Sequence, residues 1–397
     1  MVAEYTPGDR EVAGFVISLL KSDPSVENLN HQQLLDRIKE EKKEENWSLS
    51  VKRLKKIMKD YNLFLKSAAK EFSPYSKHIF YKSDYVPTLG PGIRLVGTKK
   101  RGRGLYASKK FNKGDVIWTE EPLVVAPDVE YLDIIRNGDM CRYCGKPVLK
   151  GVTTLLRKED QYVQCNKCAA NWCSKSCRRG DLVHDELVHG TREPTKDKSL
   201  KHLNVSRFHW ELFEQFANRN NWNAVYLYAL MLVNKLKHGK DSEFAKTIDG
   251  LAYVNQEKRQ ESVLDLGSLG FEQLEQVWKE GYALLKEALK PSYNLSYEEY
   301  LNGIGCANIN NIQLRIYGIY AMVNHNCDPN IEIVHNNWTT FKAVAKRDIE
   351  PNEELYTTYV NPEDNLKERQ TSLYYWGFIC RCERCKREGV ENLKITL

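Results

Sequence analysis

The first residues, "MVAEYTPGDREVAGF", lack the pattern expected of an export leader: they carry acids where a basic stretch followed by an apolar one would be needed. The sequence also lacks an apolar run able to span a bilayer. The most apolar segment, "NAVYLYALMLVNKL", is too short and too interrupted, and reads as a buried helix. No repeat or low-complexity tract stands out, which excludes solenoids and disordered linkers of biased composition. A paired cysteine framework is missing as well, because the eleven cysteines are odd in number and clustered. Without an export signal, that pattern argues for metal sites in a reducing compartment. Neither charge sign dominates. Fifty-nine Lys and Arg against 53 Asp and Glu leave +6, a mild basicity that suits a polyanionic neighbourhood without requiring one.

What remains is a globular composition, 42% hydrophobic and 28% charged over 397 residues, enough for two or three domains. Residues 1–84 read as a helical region. "DREVAGFVISLLKSD", "NHQQLLDRIKEEKKEEN" and "SLSVKRLKKIMKDYNLFLKSAAKEF" each carry apolar residues at three and four spacing, with Ser48 and Ser50 as candidate caps of the third. The basic run "KRLKKIMK" fits a solvated face or a nucleic-acid or nucleosome contact. From Pro91, short β-branched and aromatic runs broken by Gly turns read as a β-meander. A cysteine cluster follows at 141–189, and the texture is helical over 196–300. After Ile304 the β texture returns, with a hairpin across His335, Asn336 and Asn337 and a further strand in "EELYTTYV". Early and late strands are expected to pair, with the cysteine module and the helical block interrupting one small sheet domain.

Cys141-x2-Cys144, Cys165-x2-Cys168 and Cys173-x3-Cys177, followed by His184 and His189, offer eight ligands, enough for two tetrahedral zinc ions. Closely spaced Cys pairs each supply half a site, and four protein ligands leave no open position, so these sites read as structural. Their binding energy would fold a segment too small for a core of its own. Cys380-x-Cys382-x2-Cys385 has three thiols and needs a fourth. Cys306 and Cys327 are the cysteines left over, and Cys327 lies in the odd heptapeptide "NHNCDPN", directly after "RIYGIYAMV". If Cys327 completes the site, the tail is pinned against that loop.

The order of the first cluster resembles the MYND zinc finger. That resemblance implies one ion on Cys141, Cys144, Cys173 and Cys177 and another on Cys165, Cys168 and His184. The family's last ligand, a Cys four residues after the His, is replaced here by Val188, and His189 is taken as the substitute. "RGRGLYA", "NHNCDPN", "EELYTTY" and "CRCERC", in that order, resemble the SET domain of protein lysine methyltransferases with its cysteine-rich post-SET tail. A MYND finger between early and late SET strands is the arrangement of the SET-and-MYND branch. The resemblance covers about residues 90–390, and the chain is similar to the shorter fungal histone-lysine methyltransferases, which lack the helical-repeat domain of larger animal members.

The resemblance implies an α+β fold: N-terminal helices at 1–84, SET residues 90–140, the finger at 141–190, a helical insertion at 191–300, the SET core at 301–362 and a post-SET tail at 363–397. It implies S-adenosylmethionine and three zinc ions, two in the finger and one in the tail, on Cys327, Cys380, Cys382 and Cys385. Arg101, Gly102, Arg103 and Gly104 would contact the cofactor's methionine moiety, Asn324 and His325 its amine and adenine, Phe378 would wall the adenine pocket, and Asn308 would be a further cofactor-side Asn. Tyr359, chosen over Tyr356 by its spacing after Glu354 and Leu355, would be catalytic. Trp376 and Phe378 would line the lysine channel with it. A histone tail or nucleosome is the implied substrate, histone four first, with Glu353, Glu354, Glu363 and Asp364 as acids that could greet it. Further protein or DNA contact would run through the finger and the basic N-terminal helices. No membrane is involved, and the location would be nuclear, at chromatin, and cytoplasmic. The alternative is an inactive MYND/SET chromatin adaptor, against which the presence of Tyr359, Asn324, His325 and the tail cysteines argues.

Overall fold

A computed structural model describes residues 5–23, 25–26, 29–61, 63, 75–82, 85–98, 102–148, 161–190, 200–263, 271–336 and 339–390. Its first unit is three helices, Asp9–Ser22 (α1), His31–Glu41 (α2) and Val51–Asp60 (α3). Their apolar residues recur every three or four positions and close a core of their own, in which Val12, Val16, Leu34, Ile38, Leu54 and Ile57 are buried. The Asn30 side chain accepts from the backbone N–H groups of Gln32 and Gln33, and Gln33 reaches back, which fixes the start of α2. Ser50 Oγ accepts from Arg53 N at 3.2 Å at the head of α3, whereas Ser48 serves differently, donating its backbone N–H to Tyr5 O. Most of the rest of the third expected helix lies outside the described residues.

The β part begins with the hairpin Ile93–Thr98 (β1) and Gly102–Ala107 (β2). Arg101, between them in sequence, lies outside the described residues. Val116–Glu120 (β3) and Val124–Val125 (β4) lead through Leu132–Arg136 (α4) to the cysteine segment, with strands Val163–Gln164 (β5) and Asn171–Trp172 (β6) and helix Lys175–Gly180 (α5). Helices Arg207–Arg219 (α6), Asn223–His238 (α7), Glu243–Gly250 (α8), Gln256–Val263 (α9), Phe271–Leu289 (α10) and Tyr297–Asn310 (α11) follow. The segment "NAVYLYALMLVNKL" is α7, buried without a break from Val225 to Val233.

The chain then returns to strands: Asn311–Ile312 (β7), Arg315–Ile316 (β8), Asn324–His325 (β9), Ile331–His335 (β10), Phe341–Ala345 (β11) and Tyr356–Thr357 (β12), before helices Leu366–Tyr374 (α12) and Glu383–Arg387 (α13). The early strand β3 pairs with β11 in a sheet ordered β10-β11-β3, β4 pairs with β8, and β9 pairs in parallel with β12. The hairpin β10–β11 turns at His335 and Asn336, and Asn337 lies outside the described residues.

Two expectations need correction. Strand structure does not resume at Ile304: α11 runs through Asn310. Asn310 and Asn311, poor helix formers, turn their amides back onto the carbonyls of Cys306 and Ala307, at 2.8 and 2.7 Å, and so prolong the helix. And "EELYTTYV" is not one strand: Glu354 makes a single antiparallel bridge to Tyr106, and Tyr356–Thr357 then pairs with β9 instead.

Glu120 joins the early and late halves. Its carboxylate is 9% exposed and accepts from Ile319 N at 2.7 Å, Tyr320 N at 3.0 Å and Trp118 Nε1 at 3.1 Å. The cysteine segment is likewise bound to the helices, through the buried pair Glu186–Lys237 and through Tyr226, whose hydroxyl donates to Glu214 at 3.0 Å beside Arg142. Replacing Glu120 by Ala strands three buried donors, and we expect a loss of about 2–4 kcal/mol in unfolding free energy, read from denaturant titration.

Candidate functional site

Three groups of side chains gather with metal-ligand chemistry among the described residues, and in each all ligand atoms lie within 4.8 Å of one another. Cys141 and Cys144 sit on a tight turn closed by the Gly145 N–H on Cys141 O at 2.9 Å. Cys173 follows β6, and Cys177 is carried by α5. Their sulfurs stand 3.5–3.7 Å apart, Cys144 to Cys173, Cys173 to Cys177 and Cys177 to Cys144. Four sulfurs at ~2.3 Å from one zinc ion would be ~3.8 Å apart, so the donor set fits.

The second group is Cys165, Cys168, His184 and His189. Cys165 Sγ is 3.4 Å from His189 Nε2, Cys168 Sγ is 3.7 Å from His184 Nε2, and the two Nε2 atoms are 3.2 Å apart. Backbone N–H groups of Lys167 and Ala170 point at the two sulfurs. Burial, and Arg142 after it, lowers the His184 pKa to about 2, which keeps the ring in the neutral, ligating form. The departure from the usual spacing has a local cause. Residues Asp185–His189 form a single π-helical turn, closed by the Gly190 N–H on Asp185 O. An α-turn would bring the residue four after His184, Val188, onto the histidine's face. The wider π-turn brings the fifth, His189, there instead, and Val188 packs into the helical core.

The third group joins Cys327, just beyond β9, to Cys380, Cys382 and Cys385 of the tail. Cys327 and Cys385 sulfurs are 3.4 Å apart. Cys306 is elsewhere, buried on α11 beside Asn310. Two fully buried α12 residues serve this cluster. Gln370 Nε2 donates to Cys385 Sγ at 3.3 Å and Cys380 O at 2.9 Å, and Arg369 pairs with Glu388 at 2.6 Å and reaches Cys385 Sγ at 3.8 Å. Nothing in sequence marks them, since Arg and Gln in a polar helix read as surface. A buried guanidinium is what a metal site with four thiolates, carrying a net negative charge, calls for.

Beside this cluster lies an aromatic pocket. The Tyr359 ring is 4.8 Å from Trp376, 5.3 Å from His325 and 6.3 Å from Phe378 by ring centroids. Its hydroxyl donates to Val323 O at 2.6 Å, and burial pushes its pKa well above the ordinary value. His325 accepts the Tyr359 backbone N–H on Nδ1 at 3.0 Å, and burial lowers its pKa to about 4. Asn324 Nδ2 donates to Arg103 O at 2.9 Å and Glu354 Oε1 at 2.8 Å. Gly104 is required there: a Cβ on it would stand 2.5 Å from Glu354 Oε1 and 2.8 Å from Asn324 Nδ2. Asn308, on α11, donates to Gln256 Oε1 at 3.0 Å.

Arg103 Nη2 donates to Gly250 O at 2.7 Å, while its Nη1 is buried without a partner. A carboxylate-bearing, cationic small molecule answers both features, the guanidinium and the ring of aromatics. Arg103 and the aromatic cluster around Tyr359 each offer the kind of contact that S-adenosylmethionine needs.

The acids expected at the channel are not all free to greet a basic peptide. Glu354 is 7% exposed and accepts from Tyr106 at 2.9 Å, Tyr356 at 2.5 Å and Asn324. Glu353 is paired with Arg347. Glu363 is exposed, and Asp364 accepts from Asn361 Nδ2 at 2.8 Å.

Comparison with known proteins places these features in context. The SET domain model matches residues 102–360. Histone-lysine N-methyltransferase SET5 of Yarrowia lipolytica is 34% identical over 392 residues, covering 98% of this chain and 84% of its own. The proteins of that name from Scheffersomyces stipitis and Candida albicans are 34% and 33% identical, over 96% and 97% of this chain and 81% and 82% of theirs. A crystal structure of the SET domain of LSMT bound to lysine and AdoHcy overlaps 74% of this chain and 54% of its own at 13% identity, but its TM-score of 0.31 is too low to carry an argument.

The spacing argument gives a metal prediction. His189→Ala should lose one of the zinc ions bound per chain, read by mass spectrometry of the native protein. Adding Val188→His to that variant should not restore it, because the π-turn holds position 188 in the core; restoration would show the turn to be α-helical in solution.

Proposed function

The chain belongs to the SET-domain family, and on that premise we propose that it is an S-adenosylmethionine-dependent histone-lysine N-methyltransferase acting in the nucleus. The observation that carries this reading is the aromatic cluster of Tyr359, Trp376, Phe378 and His325, with neighbouring Asn324 bound to β2 through Arg103 O and the Arg103 Nη1 on that strand buried and unpaired. The relatives named histone-lysine N-methyltransferase, of whose length this chain covers 81–84%, support it.

When bound, S-adenosylmethionine supplies an activated methyl group on a sulfonium. The protein's own part is alignment and dryness. The Tyr359 hydroxyl gives its proton to Val323 O, so its oxygen lone pairs remain to orient a lysine amine. Its raised pKa keeps it a neutral phenol, so it acts as a dipole and not as a base. The aromatic walls exclude water and favour the neutral amine, which is the nucleophile. Holding nitrogen, carbon and sulfur in line is worth ~7–11 kcal/mol in well-organised cases. Arg103 and Asn324 would hold the cofactor's polar end, with Gly102 and Gly104 allowing close approach and Arg101 a second cation. Asn308 and Phe378 would hold its adenine side.

Finer points belong to the same proposal. The histone-four tail is the first substrate. The two cysteine and histidine groups at 141–189 would form a MYND finger with two zinc ions, and Cys327, Cys380, Cys382 and Cys385 would hold a third. The finger and helix α3, where Lys52, Lys55 and Lys56 are exposed, would contact chromatin.

Tyr359→Phe should lower kcat roughly 100-fold while cofactor affinity by calorimetry stays within about twofold. The pH–rate profile of the residual activity should keep its shape, because the lost hydroxyl does not titrate below pH 10. Full activity in this variant would remove Tyr359 from its role. Incubation of the wild-type protein with labelled cofactor and nucleosomes, with the label mapped by mass spectrometry, tests the substrate. Absence of cofactor binding would favour an adaptor.

A further inference from the structure

Residues 75–82 and Tyr85 precede the β strands and lie outside the matched SET residues, 102–360. By sequence they are a connection between helices and sheet. In the structure they touch the turn at 374–377, the Arg103 guanidinium and the segment 247–254. Tyr75 is fully buried, packed with Val254, Tyr374 and Ile309. Its hydroxyl donates to Tyr375 O at 2.9 Å, and Ser76 N donates to Gly377 O at 3.3 Å. Its ring occupies the space a side chain at Gly377 would need, 2.7 Å from an added Cβ. Phe80 exchanges two backbone hydrogen bonds with Tyr253, each 2.8 Å. The Tyr81 ring lies 4.3 Å from the Arg103 guanidinium. Tyr85 donates to Thr247 Oγ1 at 2.7 Å.

We propose that Tyr75 and Tyr81 are positioning residues of the methyl-transfer site, Tyr75 holding the turn that carries Trp376 and Phe378 and Tyr81 holding the Arg103 guanidinium. This rests on the methyltransferase reading. Gly377, with φ +80°, is the turn residue between the two aromatic residues, a conformation that side-chain-bearing residues rarely adopt. Without a side chain it cannot brace itself, and Tyr75 supplies from outside the packing and the hydrogen bond that stop it turning. Arg103 is one long, flexible side chain. The Tyr81 face and Gly250 O fix its plane and leave Nη1 for a ligand. A pocket displaced by an ångström loses on the order of 100-fold in rate, so this bracing bears on catalysis as well as on stability.

The test uses the full zinc-loaded chain and three variants, Tyr75→Leu, Tyr75→Phe and Tyr81→Leu. Tyr81→Leu should weaken S-adenosylmethionine binding about tenfold and leave the peptide KM within about twofold. Tyr75→Leu should lower kcat and speed amide exchange across residues 374–379, each about tenfold, with zinc content unchanged. Tyr75→Phe, which keeps the ring, should recover most of both. Wild-type kcat and exchange in Tyr75→Leu would overturn the role of Tyr75, and wild-type cofactor affinity in Tyr81→Leu that of Tyr81. Should Tyr75→Leu fail to fold, Tyr75→Phe decides by exchange at 375–377: about threefold faster supports the proposal and an unchanged rate overturns it. A wild-type protein that binds no cofactor sinks the methyltransferase reading instead, and the exchange measurement still judges Tyr75.

Discussion

The meeting of the Cys327 thiol with the three tail thiols is the constraint on which the pocket depends. Asn324 and His325 stand three and two residues before Cys327, and Trp376 and Phe378 stand four and two before Cys380. One junction therefore sets both sides of the aromatic ring around Tyr359. Secondary structure contributes little here: β9 and β12 are two residues each. Side chains make up the difference. Gln370 and Arg369 are spent on the sulfurs and their backbone, and Arg384 donates to Cys327 O at 3.1 Å and Pro362 O at 2.8 Å.

The cysteine segment at 141–190 solves a similar problem with little apolar material. Its buried cluster is Val125, Val148 and Trp172 beside cysteines. Trp172 packs edge-on against His184 and donates to Asp181 at 3.0 Å, so the largest ring in the segment also orients a ligand. Glu186–Lys237 and the Arg142, Glu214 and Tyr226 contacts then tie it to the helices. Among the described residues, these contacts join the cysteine segment directly to the helical block.

The sequence made some of this legible, and the reasons differ by residue. Helices α1, α2 and α7 announce themselves by apolar spacing or by an unbroken apolar run. The cysteine pairs and "NHNCDPN" are conspicuous because thiols and amides in a row have little else to do. Glu120, Glu354, Arg369 and Gln370 were not visible: a charged or amide residue that will be buried looks like one that will be solvated until its partners are known, and those partners are distant in the chain. The end of α11 was misread because propensity counts Asn against a helix, while the structure lets two asparagines cap carbonyls within it. Tyr75 and Tyr81 were passed over because aromatics among Lys, Asp and Pro show no period.

The link between Cys327 and Cys385 spans 58 residues. At a synthesis rate of ~5–20 residues per second, Cys327 is made about 3–12 s before its last partner. During that interval the nascent protein holds a thiol without its site, next to an imidazole, and the pocket cannot yet form. Oxidants and adventitious metal ions in the cell have that window in which to reach it, and a newly made molecule becomes competent only once the tail has folded back.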